Sequence, residues 1–370
     1  MVNIRYLILV LTNRCNLNCL YCYNGDIQSP MDMSEEVMAR AFALARDGEG
    51  PLHLQLTGGE PSLVPHLIRM AIKMAGCIAR PLSVAVQTNA TCLTPELLSF
   101  FRNSEIEVGV SIDGPPAVHE ALRGKSAMAL KGLQLLEAMA VPFRVTTVVS
   151  RENVQSLDRL VLMVGGFSQA RGIGLDLLVR KGRAAESAPP VMGADSRELG
   201  QGIEKMVKAL SHINRRRSIP LELRELEMVL RQSQLMANRQ SFCHACKGES
   251  VAVHPDGTLF PCGQTLGDPD LAAGTVWMPD PERLHLLKKI ALSSEWGKSA
   301  EAGLPYISCD GCQLQGRCPG ECPGRLYYNR GKAGEAACIM YRKLWDSVSS
   351  EADLAECGKK TECSRKSNRA

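Results

Sequence analysis

The residues best suited to chemistry sit near the start of the chain, in TNRCNLNCLYCYNG (Thr12 to Gly25), where Cys15, Cys19 and Cys22 form a C-x3-C-x2-C run. Clustered thiols serve as metal ligands or nucleophiles once deprotonated. A structural zinc ion is almost always closed by four ligands, and no His or further Cys follows before His53. A catalytic zinc with three ligands and a water stays open, although three thiolates would make it a poor Lewis acid. An iron–sulfur cube takes four thiolates, so three would leave one iron free for a substrate.

Two further groups of cysteines lie downstream. They are Cys243, Cys246 and Cys262, then Cys309, Cys312, Cys318, Cys322 and Cys338; Cys77, Cys92, Cys357 and Cys363 are left over. Cys246 and Cys262 flank ESVAVHPDGTLFP, whose alternating residues and HPDG turn predict a β-hairpin that brings both cysteines together. The C-x3-C-P ending at Cys318, Cys322 and Pro323 is similar to bacterial ferredoxins, in which the Cys before Pro crosses to another cluster. That spacing suggests that Cys322 serves the hairpin site, while paired zinc knuckles are the alternative.

The elements that position these groups follow a simple alternation. Short apolar runs at 6–11, 52–57, 82–87, 106–112, 143–149 and 173–179 are separated by stretches of helical period, such as 34–45 with Ser34 as N-cap and 62–76. Six βα units around a parallel sheet, open or closed into a barrel, are expected. GGEP (58–61), QTN (87–89) and SIDGP (111–115) all lie at strand carboxyl ends, the face on which such sheets carry their sites, so they should converge with the Cys15 loop. Residues 180–196 read as a loop, 197–239 as helical with a break at Pro220, and the region from Cys243 as a small domain held by metal rather than by a large core. The polar tail 358–370 reads as disordered.

Composition narrows the function classes. The 370 residues are 45% hydrophobic and 22% charged, ordinary globular material with room for two domains, and the net charge of +4 is spread too thinly for a nucleic-acid footprint. The basic knot NRRRS (214–218) reads as a solvated helix end. The apolar run at 6–11 is too short for a signal peptide and nothing later approaches a membrane span. A cytoplasmic protein is expected, with no membrane partner, and a reducing compartment assigns the clustered thiols to metal or catalysis.

The Cys15/Cys19/Cys22 run with Tyr21 before its last Cys, followed in order by Gly58-Gly59-Glu60-Pro61, Gln87-Thr88-Asn89, Ser111 and Arg123, resembles the radical SAM superfamily. The resemblance implies a partial (β/α)6 TIM-like barrel over 1–182. It also implies a 4Fe-4S cluster on the three cysteines, whose open iron is chelated by S-adenosylmethionine and yields a 5′-deoxyadenosyl radical. Tyr21, Gly58, Gly59, Glu60, Pro61, Asn89, Ser111 and Arg123 are then the implied cofactor contacts. Glu60 suits an ammonium, Arg123 a carboxylate, Ser111 a ribose or carboxylate oxygen, and the Tyr21 backbone the adenine. Where the family commonly has Gly after QTN, this chain has Ala90.

Residues 243–345 resemble the SPASM domain, a Cys-rich extension of such enzymes that holds two auxiliary 4Fe-4S clusters. Matching positions imply one on Cys243, Cys246, Cys262 and Cys322 and another on Cys309, Cys312, Cys318 and Cys338. Residues 183–242 are then a linker and helical segment, and 346–370 a polar tail. The resemblance implies an oxidoreductase acting on a peptide or protein, an external electron donor of flavodoxin or ferredoxin type, and either direct peptide recognition or a separate leader-binding protein. Sulfatase-maturating members carry Asp after the third auxiliary Cys as base, whereas this chain has Gly263, so a ribosomal-peptide maturase is preferred and formylglycine formation comes second. A non-catalytic electron-transfer protein would need the clusters but not GGEP, Ser111 and Arg123.

Overall fold

The computed structural model describes residues 3–25, 29–187, 190–234, 243–279, 282, 285–287, 289, 311–315, 317–329 and 335–347. Strands β1 (Tyr6–Val10), β2 (Leu52–Thr57), β3 (Leu82–Thr88), β4 (Glu107–Ser111), β5 (Phe143–Val149) and β6 (Ala170–Leu177) pair in parallel and in chain order. An order without reversal is that of a barrel wall, not of a doubly wound sheet, and the six expected units form a partial (β/α) barrel. Helices α1 (Glu35–Arg46), α2 (Pro65–Ala75), α3 (Pro95–Asn103), α4 (Pro116–Arg123), α5 (Ser126–Ala138) and α6 (Leu157–Gly165) fill the connections.

Period-two alternation divides the strands between two faces. Leu7 and Leu9, Leu52, Leu54 and Leu56, Val108 and Val110, and Phe143 and Val145 are buried in one continuous apolar core with the helices. The opposite, inner face mixes the polar or charged Tyr6, His53, Gln55, Gln87, Ser111 and Arg144 with Ile8 and Val10, which join Ala252 and Phe260 in a smaller apolar cluster. Ser34 caps α1 as expected, its hydroxyl accepting from the Val37 amide at 3.2 Å.

Two features differ from expectation. β6 starts and ends earlier than 173–179: Ala170 already pairs with Phe143 across a bulge, and the Leu178 carbonyl instead accepts from Arg325 (3.1 Å) and Asn329 (3.1 Å). The hairpin β8 (Ser250–Val253) and β9 (Leu259–Phe260) forms around the HPDG turn, yet it does not stand apart, because β8 pairs in parallel with β1 and extends the barrel sheet. At the other edge, β7 (Glu222–Leu223) joins β6.

Behind β6 come α7 (Arg183–Glu186), α8 (Ser196–Asn214) and α9 (Arg224–Gln234), followed late in the chain by α10 (Pro323–Asn329) and α11 (Ala336–Asp346). The Asp195/Glu198 capping box starts α8, which packs against both α6 and α11. The expected helical residues 235–239 and the tail 348–370 lie outside the described residues. No described helix is long and apolar enough to cross a membrane.

Candidate active site at the strand carboxyl ends

The loop after β1 is held in shape by the protein itself. Thr12 donates to Asp32 at 2.6 Å, Arg14 pairs with the same carboxylate at 2.5 Å, and the Leu20 amide donates to the Leu122 carbonyl at 2.9 Å. Asn16 donates to Thr91 at 2.7 Å and accepts from the Asn89 amide group at 2.9 Å, tying the loop to the end of β3. Gly182 has φ +54° and lies so close that a Cβ there would come within 2.6 Å of the Cys22 carbonyl, which accepts from the Arg183 amide at 3.0 Å. The GRA segment thus closes over the loop.

Cys15, Cys19 and Cys22 are free and half-buried within it. Burial pushes the Cys15 thiol up to about 11, and the nearby Cys19 and Cys22 add to the rise. Crowded, partly desolvated thiols are poor isolated thiolates, but a bound cation deprotonates them outright, so the donor set fits a metal cluster. Among the described residues no three Cys, His or carboxylate groups converge tightly enough for a single metal ion.

GGEP locks against this loop. A Cβ at Gly58 or Gly59 would run into the carbonyls of Thr12 and Arg14, and the Glu60 amide donates to the Arg14 carbonyl at 2.9 Å. Glu60 is 1% exposed. Its Oε1 accepts from Thr88 (2.6 Å) and the Ser62 amide (3.0 Å), and its Oε2 from the Asn89 amide (2.7 Å). Burial raises its pKa and these bonds oppose the rise. Glu60 was expected to face a ligand ammonium; in the structure it welds two motifs together, with Oε1 accepting twice and Oε2 once.

Ala90 has φ 62°, the left-handed region that favours glycine, which explains why glycine suits this position; here the Thr88 hydroxyl accepts from the Ala90 amide at 3.0 Å. Ser111 accepts from Gln87 at 2.9 Å on the inner face.

Arg123 does not stand free. Its Nε and Nη2 donate to Asp113 at 2.8 and 3.2 Å, and its guanidinium lies 5.3 Å from the Tyr21 ring centre. Asp113 is fully buried and also accepts from the Tyr21 hydroxyl, the Val148 amide at 3.0 Å and the Thr147 hydroxyl at 3.3 Å. Sequence reasoning quoted SIDGP without singling out this carboxylate. The available signal was an acidic residue just past a strand end, beside motifs already assigned to that face.

The hairpin brings three downstream cysteines together, as expected. Cys246 donates its amide to the Cys243 carbonyl at 3.2 Å, and hydrogen bonding from Cys246 lowers the Cys243 thiol to about 7. Burial pushes Cys262 up to about 11, with Cys243 adding to it. Cys322 is exposed, and its Sγ lies 3.2 Å from the side-chain oxygen of Gln264, two residues after Cys262. Cys318 accepts from the Gly320 amide at 3.3 Å, and Cys338 lies on α11, one turn before the buried Tyr341. Cys309 lies outside the described residues. Gly263 offers no proton acceptor, and a Cβ there would face the Tyr23 hydroxyl at 3.9 Å.

Residues 9–164 match the family model of the radical SAM superfamily. An uncharacterised protein of Methanocaldococcus jannaschii is 29% identical over 270 residues, covering 70% of this chain and 84% of that protein. A serine-type anaerobic sulfatase-maturating enzyme of Klebsiella aerogenes is 23% identical over 84% of this chain and 78% of the enzyme. Among solved structures, anSMEcpe with bound AdoMet and Cp18Cys peptide superposes with TM-score 0.72 at 17% identity, covering 93% of this chain and 96% of that one. SuiB of Streptococcus suis bound to its precursor peptide SuiA gives TM-score 0.63 at 15% identity, covering 90% and 75%. The domain that carries the three-cysteine loop, residues 9–164, thus matches the radical SAM superfamily, over somewhat less than half of the chain.

Proposed function

We propose that this radical SAM enzyme modifies a polypeptide, using the strand-end site as its radical source. The observation that carries the reading is the convergence of the Cys15/Cys19/Cys22 loop with GGEP, QTN and Ser111 on one face of the barrel. Cys15, Cys19 and Cys22 would hold three irons of a 4Fe-4S cluster and leave the fourth for S-adenosylmethionine. When bound, that pair supplies one-electron cleavage of the sulfonium to a carbon radical that takes hydrogen from the substrate. Glu60 Oε2, which already accepts from the Asn89 amide, is the acceptor for the ligand's ammonium, Arg123 the donor for its carboxylate, Ser111 a partner for a ribose or carboxylate oxygen, and Asn89 and the Tyr21 backbone complete the wall. Cys243, Cys246, Cys262 and Cys322 would hold a second cluster, and Cys309, Cys312, Cys318 and Cys338 a third.

Two substrate classes compete. The long match to a sulfatase-maturating enzyme favours conversion of a Cys or Ser side chain to formylglycine. This reverses the order expected from Gly263 alone. Gly263 still favours the second reading, maturation of a ribosomally made peptide, because formylglycine chemistry needs a base that this position lacks. Mass spectrometry of a sulfatase Cys-type peptide incubated with reconstituted enzyme, S-adenosylmethionine and reductant decides between them. Aldehyde formation supports the first reading; an unmodified sulfatase peptide alongside a modified ribosomal peptide supports the second. No change in either despite S-adenosylmethionine cleavage would contradict a polypeptide substrate of these classes.

A further inference from the structure

We propose that Asp113 is a positioning residue for S-adenosylmethionine, acting through Arg123; this rests on the reading of Arg123 as the partner of the ligand's carboxylate. An arginine fork binds a carboxylate only if a pair of its N–H groups is presented in the right direction, so whatever fixes the fork fixes the ligand. Here the Nε and Nη2 edge is already taken by Asp113, at 2.8 and 3.2 Å. Among the described residues, Nη1 has no recorded protein acceptor. The ligand is therefore offered the end of the fork, the Nη1 N–H groups and the second N–H of Nη2, and not the Nε edge.

The carboxylate has no freedom to turn. Oδ2 accepts from Arg123 Nε and the Tyr21 hydroxyl, and Oδ1 from Arg123 Nη2, the Val148 amide and the Thr147 hydroxyl. Asn153 grips the Asp113 carbonyl at 3.0 Å, and the Asp113 amide donates to His119 Nδ1 at 3.4 Å. These groups come from the cluster loop, from β5, from the turn after it and from α4. One buried residue thereby sets the orientation of Arg123 and of Tyr21, the residue between two of the thiols that would hold the cluster. A pairing needed only for stability would be an expensive choice at this depth, since a buried ion pair is often no better than apolar residues of the same volume.

The test is a double-mutant cycle read as the dissociation constant of S-adenosylmethionine on reconstituted protein, with iron content as the loading control. Asp113→Asn should weaken binding by about tenfold or more with iron unchanged, as loss of an outer support does at other ligand sites. Arg123→Gln should weaken it too, and the double variant should bind no worse than Arg123→Gln to within about twofold, because one residue acts through the other. Should Asp113→Asn fold or load poorly, Thr147→Val loosens the same carboxylate and should still weaken binding. Wild-type affinity in a well-loaded Asp113→Asn or in that substitute, or losses that multiply in the double variant, would overturn the proposal. Wild-type affinity in Arg123→Gln would instead overturn the assignment of Arg123 on which it rests.

Discussion

Two of the three cysteine-bearing regions of this chain are built on different principles. Around Cys15, Cys19 and Cys22 the fold is complete before any metal is considered: Asp32, Asn16, Leu122 and Gly182 hold the loop, and a large apolar core lies beneath it. The described part of the stretch from Cys312 to Cys338 reaches that core more sparsely, through Leu314 and one face of α11 (Ala337, Met340, Tyr341 and Leu344), with little regular structure around its cysteines. Its described elements are the seven-residue α10 and the eleven-residue α11, anchored by Arg325 to Glu321 and to the Leu178 carbonyl. A site made of protein contacts can lose its metal and keep its shape, whereas a site made of short pieces needs metal to fold.

The largest effect expected from that contrast is chemical. Replacing Cys15, Cys19 and Cys22 together with Ala should lower iron from roughly twelve to roughly eight atoms per chain. The variant should nonetheless melt cooperatively like the parent, because its loop anchors remain. A barrel that unfolds, or an iron load that does not fall, would erase the distinction between the regions.

Next in size is Cys318→Ala. Hydrogen exchange should show protection lost across α10 and α11 while the strands from β1 to β6 keep theirs. Loss spread evenly over both regions would mean that the C-terminal part does not depend on its own ligands.

A smaller, pH-dependent effect belongs to the barrel alone. His119 is 2% exposed, and burial, followed by the Arg123 charge, lowers it from 6.5 to about 4 although Asp113 and Glu120 pull the other way. Its folded pKa is depressed, so the neutral ring is the native form. Its contribution is intact above pH 6.5 and is lost as the unfolded chain takes up a proton between 6.5 and about 4. The slope is about 1.4 kcal/mol per pH unit at most. Denaturant melts of His119→Gln should show a shallower acid limb than the parent; identical limbs would assign the acid sensitivity elsewhere.

Much of the barrel was legible in the sequence because each strand is a short apolar run and each motif sits at a run's end. The hairpin was legible from HPDG between two alternating segments. Its attachment to β1 was not, since parallel pairing between residues 6 and 250 leaves no local trace and depends on which sheet edge is free. The structural role of Glu60 was hidden for a similar reason: its partners Thr88 and Asn89 come from another strand end. Asp113 was visible as a residue but not as a hub, because its donors are scattered from Tyr21 to Val148.

The most direct test of a radical source at the Cys15 loop is release of 5′-deoxyadenosine by the reconstituted, reduced protein under anaerobic conditions. The parent should release it, and the variant lacking Cys15, Cys19 and Cys22 should release none while retaining its remaining iron. A fully iron-loaded parent that leaves S-adenosylmethionine intact, or a triple variant that still cleaves it, would contradict the placement of the chemistry in this loop.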